Sequence, residues 1–305
     1  PDTHVTAAEL RQLTSHAGLA KLETLILTRT RIDYLPPLQG LVNLGELSLC
    51  GLDITDLPPL QGLVNLKTLN LADTDITDLA PLKGLVNLVT LELGGHDIDL
   101  TPLQGLVKLR TLKAGERYSK TRIRDLMPLQ GLVNLTTLDL ISAHITDVTP
   151  LQGLVNLGTL ELRSSSVTLD LRSSSITDVT PLQGLGNLST LNLGGARITD
   201  VTPLQGLVNL SMLNLGGTLI TDVTPLQGLV NLSTLDLTET DITDVTPLQG
   251  LVKLEDLALY NTDITDVTPL QGLVNLSTLN LADTDITDVT PLQGLVNLST
   301  LDLTE

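Results

Sequence analysis

The sequence predicts an α/β repeat solenoid in which every repeat supplies one short strand and one short helical turn. The segment LVNLSTLDLTETDITDVTPLQG at 229–250 returns with few changes at 251 and again at 273. Leu235 and Leu237 alternate with polar residues, which is typical of a strand with one solvated face. Thr246-Pro247 favours a tight helical turn, with Thr as the N-cap and Pro at the first helical position. A fixed period of this size indicates coils that bury their apolar faces by stacking on one another.

The repeat extends through almost the whole chain. Successive units begin at 22-residue spacing, interrupted by one spacing of 21, one of 26 and one of 31 residues. This predicts a solenoid of about 13 coils over 19–305, with one shared aliphatic core. The first leucines of the units are Leu19, Leu41, Leu63, Leu85, Leu106, Leu132, Leu154, Leu185, Leu207, Leu229, Leu251, Leu273 and Leu295.

The two ends of the chain differ from the repeats. Thr6 and Glu9 form a capping-box pattern, which predicts a short helix from Ala7 to about His16 within an N-terminal cap at 1–18. At the other end the sequence stops in the middle of a repeat, so we expect a truncated C-terminus. Leu301 and Leu303 would then face an uncapped coil, which is a candidate surface for self-association.

Composition limits the classes of function. The chain has 305 residues, no Trp or Phe, a single Cys and a net charge of −18. Residues 125–305 hold 4 basic and 21 acidic residues, against 13 and 14 in 1–124. Phosphate-bearing partners bind clustered Lys and Arg, so this charge argues against nucleic acid and against an anionic membrane surface. It favours a protein partner, especially a basic one.

Two insertions interrupt the repeat directly after a predicted strand. In the unit that starts at Leu154 the motif RSSS occurs twice, at 163–166 and 172–175, which lengthens the unit by nine residues. We expect Leu160 and Leu162 to occupy the strand, although the register with Leu169 and Leu171 stays open. It also stays open whether the duplication arose by replication slippage and has no functional role. The unit that starts at Leu106 gains four residues in the stretch AGERYSKTR.

The insertions and the outward strand positions supply the candidate binding residues. Basic side chains around an aromatic residue at a loop tip suit protein recognition, and the two loops lie two coils apart, or roughly 10 Å. Solvated loops without a role are the alternative interpretation. The candidate partner-binding residues are Lys113, Arg117, Tyr118, Lys120, Arg122, Arg163, Arg172 and Tyr260.

One Asp recurs before the turn in nearly every unit, as in Asp244-Val-Thr-Pro. Such an Asp can accept backbone N–H bonds from the following turn, which would stabilise that turn. A calcium ladder is the alternative, but the glycine-rich spacing of calcium-binding coils is missing. No metal-ligand spacing, catalytic motif or cofactor fingerprint is present, so we expect no cofactor, no metal and no enzymatic activity. The column comprises Asp56, Asp78, Asp99, Asp125, Asp147, Asp178, Asp200, Asp222, Asp244, Asp266 and Asp288.

The unit LxxLxxLxLxx(N)xIxDVxPLxxL resembles the bacterial leucine-rich repeat of the 22-residue type, and is most similar to the internalin family. The resemblance implies a right-handed solenoid with its parallel sheet on the concave face and short 3₁₀ turns on the convex side. It also implies a secreted or cell-surface bacterial protein that binds a partner protein on the concave face. One departure is that Thr, as in Thr240, replaces the Asn typical of the family. We expect a hydroxyl ladder in place of the asparagine ladder that ties neighbouring turns together.

These observations favour a non-catalytic module that binds a protein through the concave sheet and the two insertions. The alternative is the recognition domain of a larger secreted effector enzyme whose catalytic domain lies outside this chain. A third interpretation is a purely structural or self-associating solenoid.

Overall fold

A computed structural model describes residues 7–14, 20–28, 30, 32–58, 60, 62–95, 97–114, 123–140, 145–162 and 176–304. The chain forms two compact units, Pro1–Ala143 and His144–Glu305. One α-helix, α1, spans Ala7–Thr14 and belongs to the first unit. The remaining described elements are short strands and 3₁₀ turns that alternate along the chain.

The strands are parallel within each unit and pair in sequence order. The first unit contains β1 (Thr24–Ile26), β2 (Glu46–Ser48), β3 (Thr68–Leu71), β4 (Thr90–Leu93), β5 (Thr111–Ala114) and β6 (Thr137–Leu140). The second contains β7 (Thr159–Glu161), β8 (Thr190–Asn192), β9 (Met212–Asn214), β10 (Thr234–Asp236), β11 (Asp256–Ala258), β12 (Thr278–Asn280) and β13 (Thr300–Asp302). Equivalent repeat positions pair, so Leu235 lies between Leu213 and Leu257. The predicted fold class is therefore confirmed.

The aliphatic positions of each repeat form the core. All seven apolar positions predicted for the unit at 229–250 are at most 1% exposed, and the central strand leucine is enclosed in nearly every coil. The core is built from thin, equivalent layers of branched aliphatic side chains, which explains how a chain without Trp or Phe fills its interior. The seven are Leu229, Leu232, Leu235, Leu237, Ile242, Val245 and Leu248.

The duplicated segment takes the first of the two registers considered. β7 pairs with β8 so that Leu160 lies opposite Leu191, and Leu162 is buried beside it. The rival strand at 167–171 lies outside the described residues. The LxxL pattern that precedes Leu160 explains the choice, because Leu154 and Leu157 are both buried and connect this strand to the preceding turn.

In the part of the chain that the structure describes, ten 3₁₀ turns lie between the strands, and their caps differ from the prediction. In the turn Thr246–Leu248 the N-cap is Val245, and Thr246 is the first helical residue. The carboxylate of Asp244 accepts the Thr246 N–H at 2.8 Å. The prediction of Thr as the N-cap and Pro as the first helical residue was therefore wrong. Pro247 is the second helical residue, and the preceding Asp supplies the capping oxygen. The turns are Ala80–Leu82, Thr101–Leu103, Met127–Leu129, Thr149–Leu151, Thr180–Leu182, Thr202–Leu204, Thr224–Leu226, Thr246–Leu248, Thr268–Leu270 and Thr290–Gly294.

The helix α1 starts at the predicted residue and ends at Thr14. It buries Ala7 and Leu10, which have exposed fractions of 6% and 3%. The Arg11 guanidinium lies 5.9 Å from the centre of the Tyr34 ring, within the range of a cation–π interaction. These contacts attach α1 to the first repeats of its unit.

The threonine column does not form the expected ladder between coils. The Thr240 hydroxyl is buried and donates to the carbonyl of Leu237, three residues earlier in the same coil, at 2.7 Å. Thr74, Thr218 and Thr262 make the same bond. The hydroxyl is too short to reach the neighbouring coil, so each Thr instead satisfies a carbonyl within its own turn.

An asparagine ladder exists, but in a different column. The Asn of the LVNL segment donates its side-chain amide to a backbone carbonyl of the preceding coil, as Asn231 does to Val208 at 2.8 Å. Where Lys replaces this Asn, the ammonium group continues the ladder: Lys253 Nζ lies 2.7 Å from Asn231 Oδ1. The same amide bond is made by Asn43, Asn65, Asn87, Asn134, Asn187, Asn209, Asn275 and Asn297.

In four successive coils of the second unit, the third residue after the strand adopts left-handed backbone geometry. Gly195 and Gly217 fill this position in two coils, with φ of 74° and 67°. Glu239 fills it in the next coil with φ of 56°, followed by Asn261 at 51°. A side chain with a Cβ is disfavoured in this region, although Asn tolerates it better than Glu does.

We therefore expect Glu239→Gly to stabilise the protein by about 1 kcal/mol, because it removes the left-handed penalty. The free energy of unfolding from urea titration is the measurement. Asn261→Gly serves as the control and should gain less. A lower unfolding free energy for Glu239→Gly would contradict this prediction.

Candidate functional site

The solvent-facing side of the strands in the second unit carries side chains that change from coil to coil. The third strand residue reads Asn214, Asp236, Ala258 and Asn280 across β9 to β12. Equivalent positions pair in register, so these side chains form a row across neighbouring strands. The buried leucines stay constant beneath them, which separates a fixed scaffold from a changing surface.

Part of this row has a structural role that the sequence analysis missed. The side-chain oxygen of Asn214 accepts the N–H of Gly216 at 2.9 Å, and Asp236 accepts that of Thr238 at 3.0 Å. The Asn214 amide also donates to the second carboxylate oxygen of Asp236 at 2.8 Å. Recurrence of Asn or Asp two residues before a post-strand turn was the available signal, because these side chains commonly bond the backbone two residues on.

Ala258 interrupts the row with a small side chain. Asp256 and Tyr260 precede and follow it by two residues, so all three lie on the same side of β11 and its continuation. Asp236 and Asn280 are its partners on the adjacent strands. All five residues are half-buried. We call this arrangement the Ala258 depression, since a methyl group is surrounded by four longer side chains.

Tyr260 lies among acidic residues. Hydrogen bonding to the Asp283 carboxylate is the main reason that the pKa of Tyr260 is raised above its ordinary value. The negative charge of Asp283, burial and the charge of Glu239 act in the same direction. The half-buried Tyr260 side chain lies beside Ala258, where a partner could contact it.

Lys113 in the first unit belongs to a charged row of its own. On β5 it lies between Glu92 and Asp139 of the adjacent strands. Its Nζ lies 3.5 Å from Glu92 Oε1, and its side chain is 48% exposed. Lys113 thus relieves repulsion between acidic neighbours while part of the side chain remains accessible. The other candidates, Arg117, Tyr118, Lys120, Arg122, Arg163 and Arg172, lie outside the described residues.

An open cleft of about 610 Å³ lies beside the entry to the strands in the first unit. Its wall contains two lysines, Lys21 and Lys67, together with Glu23. The side-chain amide of Asn43, which also borders the cleft, donates to the Ala20 carbonyl at 2.7 Å. Mixed charges and amide groups engaged in the ladder give this cleft no single ligand chemistry.

The acidic column consists largely of turn caps, as expected. Asp78, Asp99, Asp125, Asp147, Asp178, Asp200, Asp222, Asp244, Asp266 and Asp288 each accept the N–H two residues on. Asp56 is the exception, since the residue two positions later is Pro58, which has no N–H to donate. Its carboxylate accepts the Thr55 hydroxyl instead, at 3.1 Å.

Because of these caps, the stability of the fold depends on pH. Hydrogen bonds from the hydroxyl and then the N–H of Thr246 hold the pKa of Asp244 below its ordinary value of 3.8, and Asp200, Asp222, Asp266 and Asp288 behave alike. A lowered folded-state pKa means that the carboxylate stabilises the fold fully above 3.8 and loses this effect as the pH falls through the lower folded value.

We expect the thermal unfolding midpoint to fall steeply between pH 4 and pH 2, because the capping carboxylates are then protonated. Asp244→Asn should make this decline shallower, because Asn keeps an acceptor oxygen but does not titrate. Asp263→Asn is the control, since Asp263 is an exposed residue of the next repeat and caps no turn. An equal change for both variants would refute the cap explanation.

Metal binding finds no support among the described residues, where no three His, Cys, Asp or Glu side chains come together as a metal site. The carboxylates of the acidic column already accept backbone N–H bonds, as Asp244 does. For this reason we expect millimolar calcium to leave the melting temperature nearly unchanged, as measured by differential scanning calorimetry with and without chelator. A rise of many degrees would show instead that the acidic column binds calcium. Within the same described residues, no helix is both long and apolar enough to cross a membrane.

Comparison with known proteins places these coils in a wider group. The family model "Leucine Rich repeats (2 copies)" matches residues 64–106 and 187–228. The structure of the internalin InlF from Listeria monocytogenes is similar with a TM-score of 0.78 and 27% identity, covering 98% of this chain and 94% of that one. No curated protein matches the chain.

Two further structures share the fold. A leucine-rich repeat protein of Leptospira interrogans has a TM-score of 0.82 and 24% identity, with 93% of this chain and 73% of that chain covered. TLR13, in a complex with single-stranded RNA, has a TM-score of 0.70 and 22% identity, with 98% and 45% covered. At these identities the likeness shows the fold alone.

Proposed function

Since the chain is a leucine-rich repeat protein similar to the bacterial internalins, we propose that it is a non-catalytic module that binds a partner protein. The observation that carries the proposal is the outward row on the strands, where side chains of different chemistry follow one another over a constant core. A rigid scaffold with a changing, solvent-facing surface is suited to recognition.

In each unit, the proposed binding surface comprises the solvent-facing strand residues and the post-strand insertion of that unit. Lys113 and Tyr260 lie on strand positions of their units and are accessible to a partner. The insertions contribute Arg117, Tyr118, Lys120, Arg122, Arg163 and Arg172. Tyr and Arg are the side chains that most often dominate protein interfaces, which favours these positions over the surrounding Thr and Ser.

Charge distinguishes a protein partner from a nucleic acid. Between residues 205 and 304 the chain contains 13 acidic residues and one basic residue, Lys253. RNA or DNA would be repelled by this surface, because nucleic acids bind mainly through phosphate contacts to Lys and Arg. Although the chain shares its fold with TLR13, we therefore do not propose an RNA partner for it.

The test is capture of a partner by the purified, immobilised chain, followed by measurement of affinity for the captured protein. We expect Tyr118→Ala, Arg163→Ala and Tyr260→Ala each to weaken binding by about tenfold, the effect of losing one interface anchor. The unfolding midpoint should stay unchanged. Met127→Ala, which removes an exposed side chain from a 3₁₀ turn, is the control. Failure to retain any protein, or equal affinity for all variants, would reject the module.

A further inference from the structure

We propose that the Ala258 depression is the docking point for an arginine side chain in a basic segment of the partner protein. The proposal rests on the proposed function and names the chemistry of the partner. The occupant is argued from the shape of the sheet face and from its charge.

The geometry suits one planar cationic group. Neighbouring parallel strands lie about 4.8 Å apart, so the side chains of Asp236 and Asn280 are separated by roughly 10 Å across Ala258. The methyl group of Ala258 leaves this space open to a side chain that approaches from solvent. Along β11, Asp256 closes one end of the depression and Tyr260 closes the other.

Asp256 supplies the carboxylate of the depression. It precedes Ala258 by two residues, so it lies on the same strand face. Asp236 is less available, because its oxygens accept the Thr238 N–H and the Asn214 amide. Both oxygens also lie close to Gly216 of the preceding coil, where an added Cβ would be 3.1 and 3.3 Å from them. A carboxylate at the depression favours a cationic donor group over a neutral one.

Tyr260 favours arginine in particular. Its ring follows Ala258 by two residues and so lies on the same face of the strand continuation, at one end of the depression. A guanidinium is planar, stacks on an aromatic face and donates two parallel bonds to a carboxylate. An ammonium is a compact point charge that cannot stack or form this paired bond, although it is attracted to the ring. Arginine therefore fits the ring and the carboxylate together better than lysine does.

The negative charge of the surrounding residues also favours a cationic partner. The ammonium group of Lys253, the single basic residue of 205–304, is bonded to Asn231 in the ladder before the strands. Glu239 and Asp283 lie just beyond the ends of β10 and β12. Both raise the pKa of Tyr260. A basic segment would thus be attracted at long range and then positioned by the depression.

The probe is a short fluorescein-labelled peptide of alternating glycine and arginine, measured by fluorescence anisotropy at low salt. We expect Asp256→Asn and Ala258→Leu each to weaken its binding by about tenfold. The first change removes a carboxylate from the depression, and the second fills the depression without changing charge. A peptide with lysine in place of arginine should bind several-fold more weakly.

Asp263→Asn is the matched control, because it removes the same charge from the same coil at an exposed position outside the sheet face. It should change affinity less than twofold. Equal losses for Asp256→Asn and Asp263→Asn would show diffuse electrostatic attraction and overturn the site. Unchanged binding by Ala258→Leu, with an unaltered unfolding midpoint, would overturn it as well.

Failure of this site is distinguishable from failure of the module. If a captured partner binds wild type and Ala258→Leu equally, the docking point is wrong while the protein-binding function stands. If the peptide binds as expected but no partner protein is retained by the purified chain, the depression recognises arginine and the proposed function is wrong.

Discussion

Leu235→Ala is expected to lower the free energy of unfolding by about 2–5 kcal/mol, the usual cost of truncating a buried leucine. Leu235 is 1% exposed, and its strand partners Leu213 and Leu257 are equally enclosed. The core here consists of aliphatic layers with no aromatic side chain to shift into the space. A cavity in one layer therefore removes contacts with the layers on both sides.

Urea unfolding followed by circular dichroism measures this effect. Val230→Ala is a control in the same repeat, because the Val230 side chain is 48% exposed and its truncation should change stability by less than about 0.5 kcal/mol. Since repeats interact with their neighbours, we expect the mutant to unfold around β10 before the rest of the unit unfolds. A loss at Leu235 no larger than that at Val230 would mean that the core is not shared between coils.

Gly94→Ala is expected to destabilise the protein by about 1–3 kcal/mol through steric overlap with the backbone. A Cβ at this position would lie 2.8 Å from both the Leu71 carbonyl oxygen and the Thr74 nitrogen. Gly94 also donates its N–H to Leu71 at 2.9 Å, so the two segments cannot separate without breaking this bond. Backbone atoms cannot rotate away as the end of a flexible side chain can.

Gly228→Ala provides the comparison, because no atom lies within 4 Å of the new methyl group and the backbone there is not left-handed. It should be neutral, or slightly stabilising because alanine restricts the unfolded chain. Thermal unfolding of both variants gives the measurement. Equal stability of Gly94→Ala and Gly228→Ala would contradict the close approach of the chain at Gly94.

Most of the architecture could be predicted from periodicity. The 22-residue period indicated coils, and the alternation around Leu235 indicated the strands. The Asp before each Val-Thr-Pro indicated a cap, which Asp244 confirms. Each of these features either involves residues close together in the chain or recurs at a fixed spacing. A single sequence is therefore enough to recognise it.

The side-chain ladders between coils could not be assigned in the same way. Thr240 was expected to bridge coils, yet it bonds Leu237 in its own turn. No role was predicted for Asn231, yet its side chain bonds the preceding coil. A repeated polar residue looks the same in sequence whether it bonds within its coil or to the next, because that choice depends on its reach and direction in three dimensions.

The sequence by itself determined that this protein is a stack of leucine-rich coils, because aliphatic residues at fixed spacing can leave water only by packing on their neighbours. Only the tertiary structure decided that Asp236, Asp256, Tyr260 and Asn280 surround Ala258. These residues come from three repeats and become neighbours through the register of parallel strands, which no single repeat encodes.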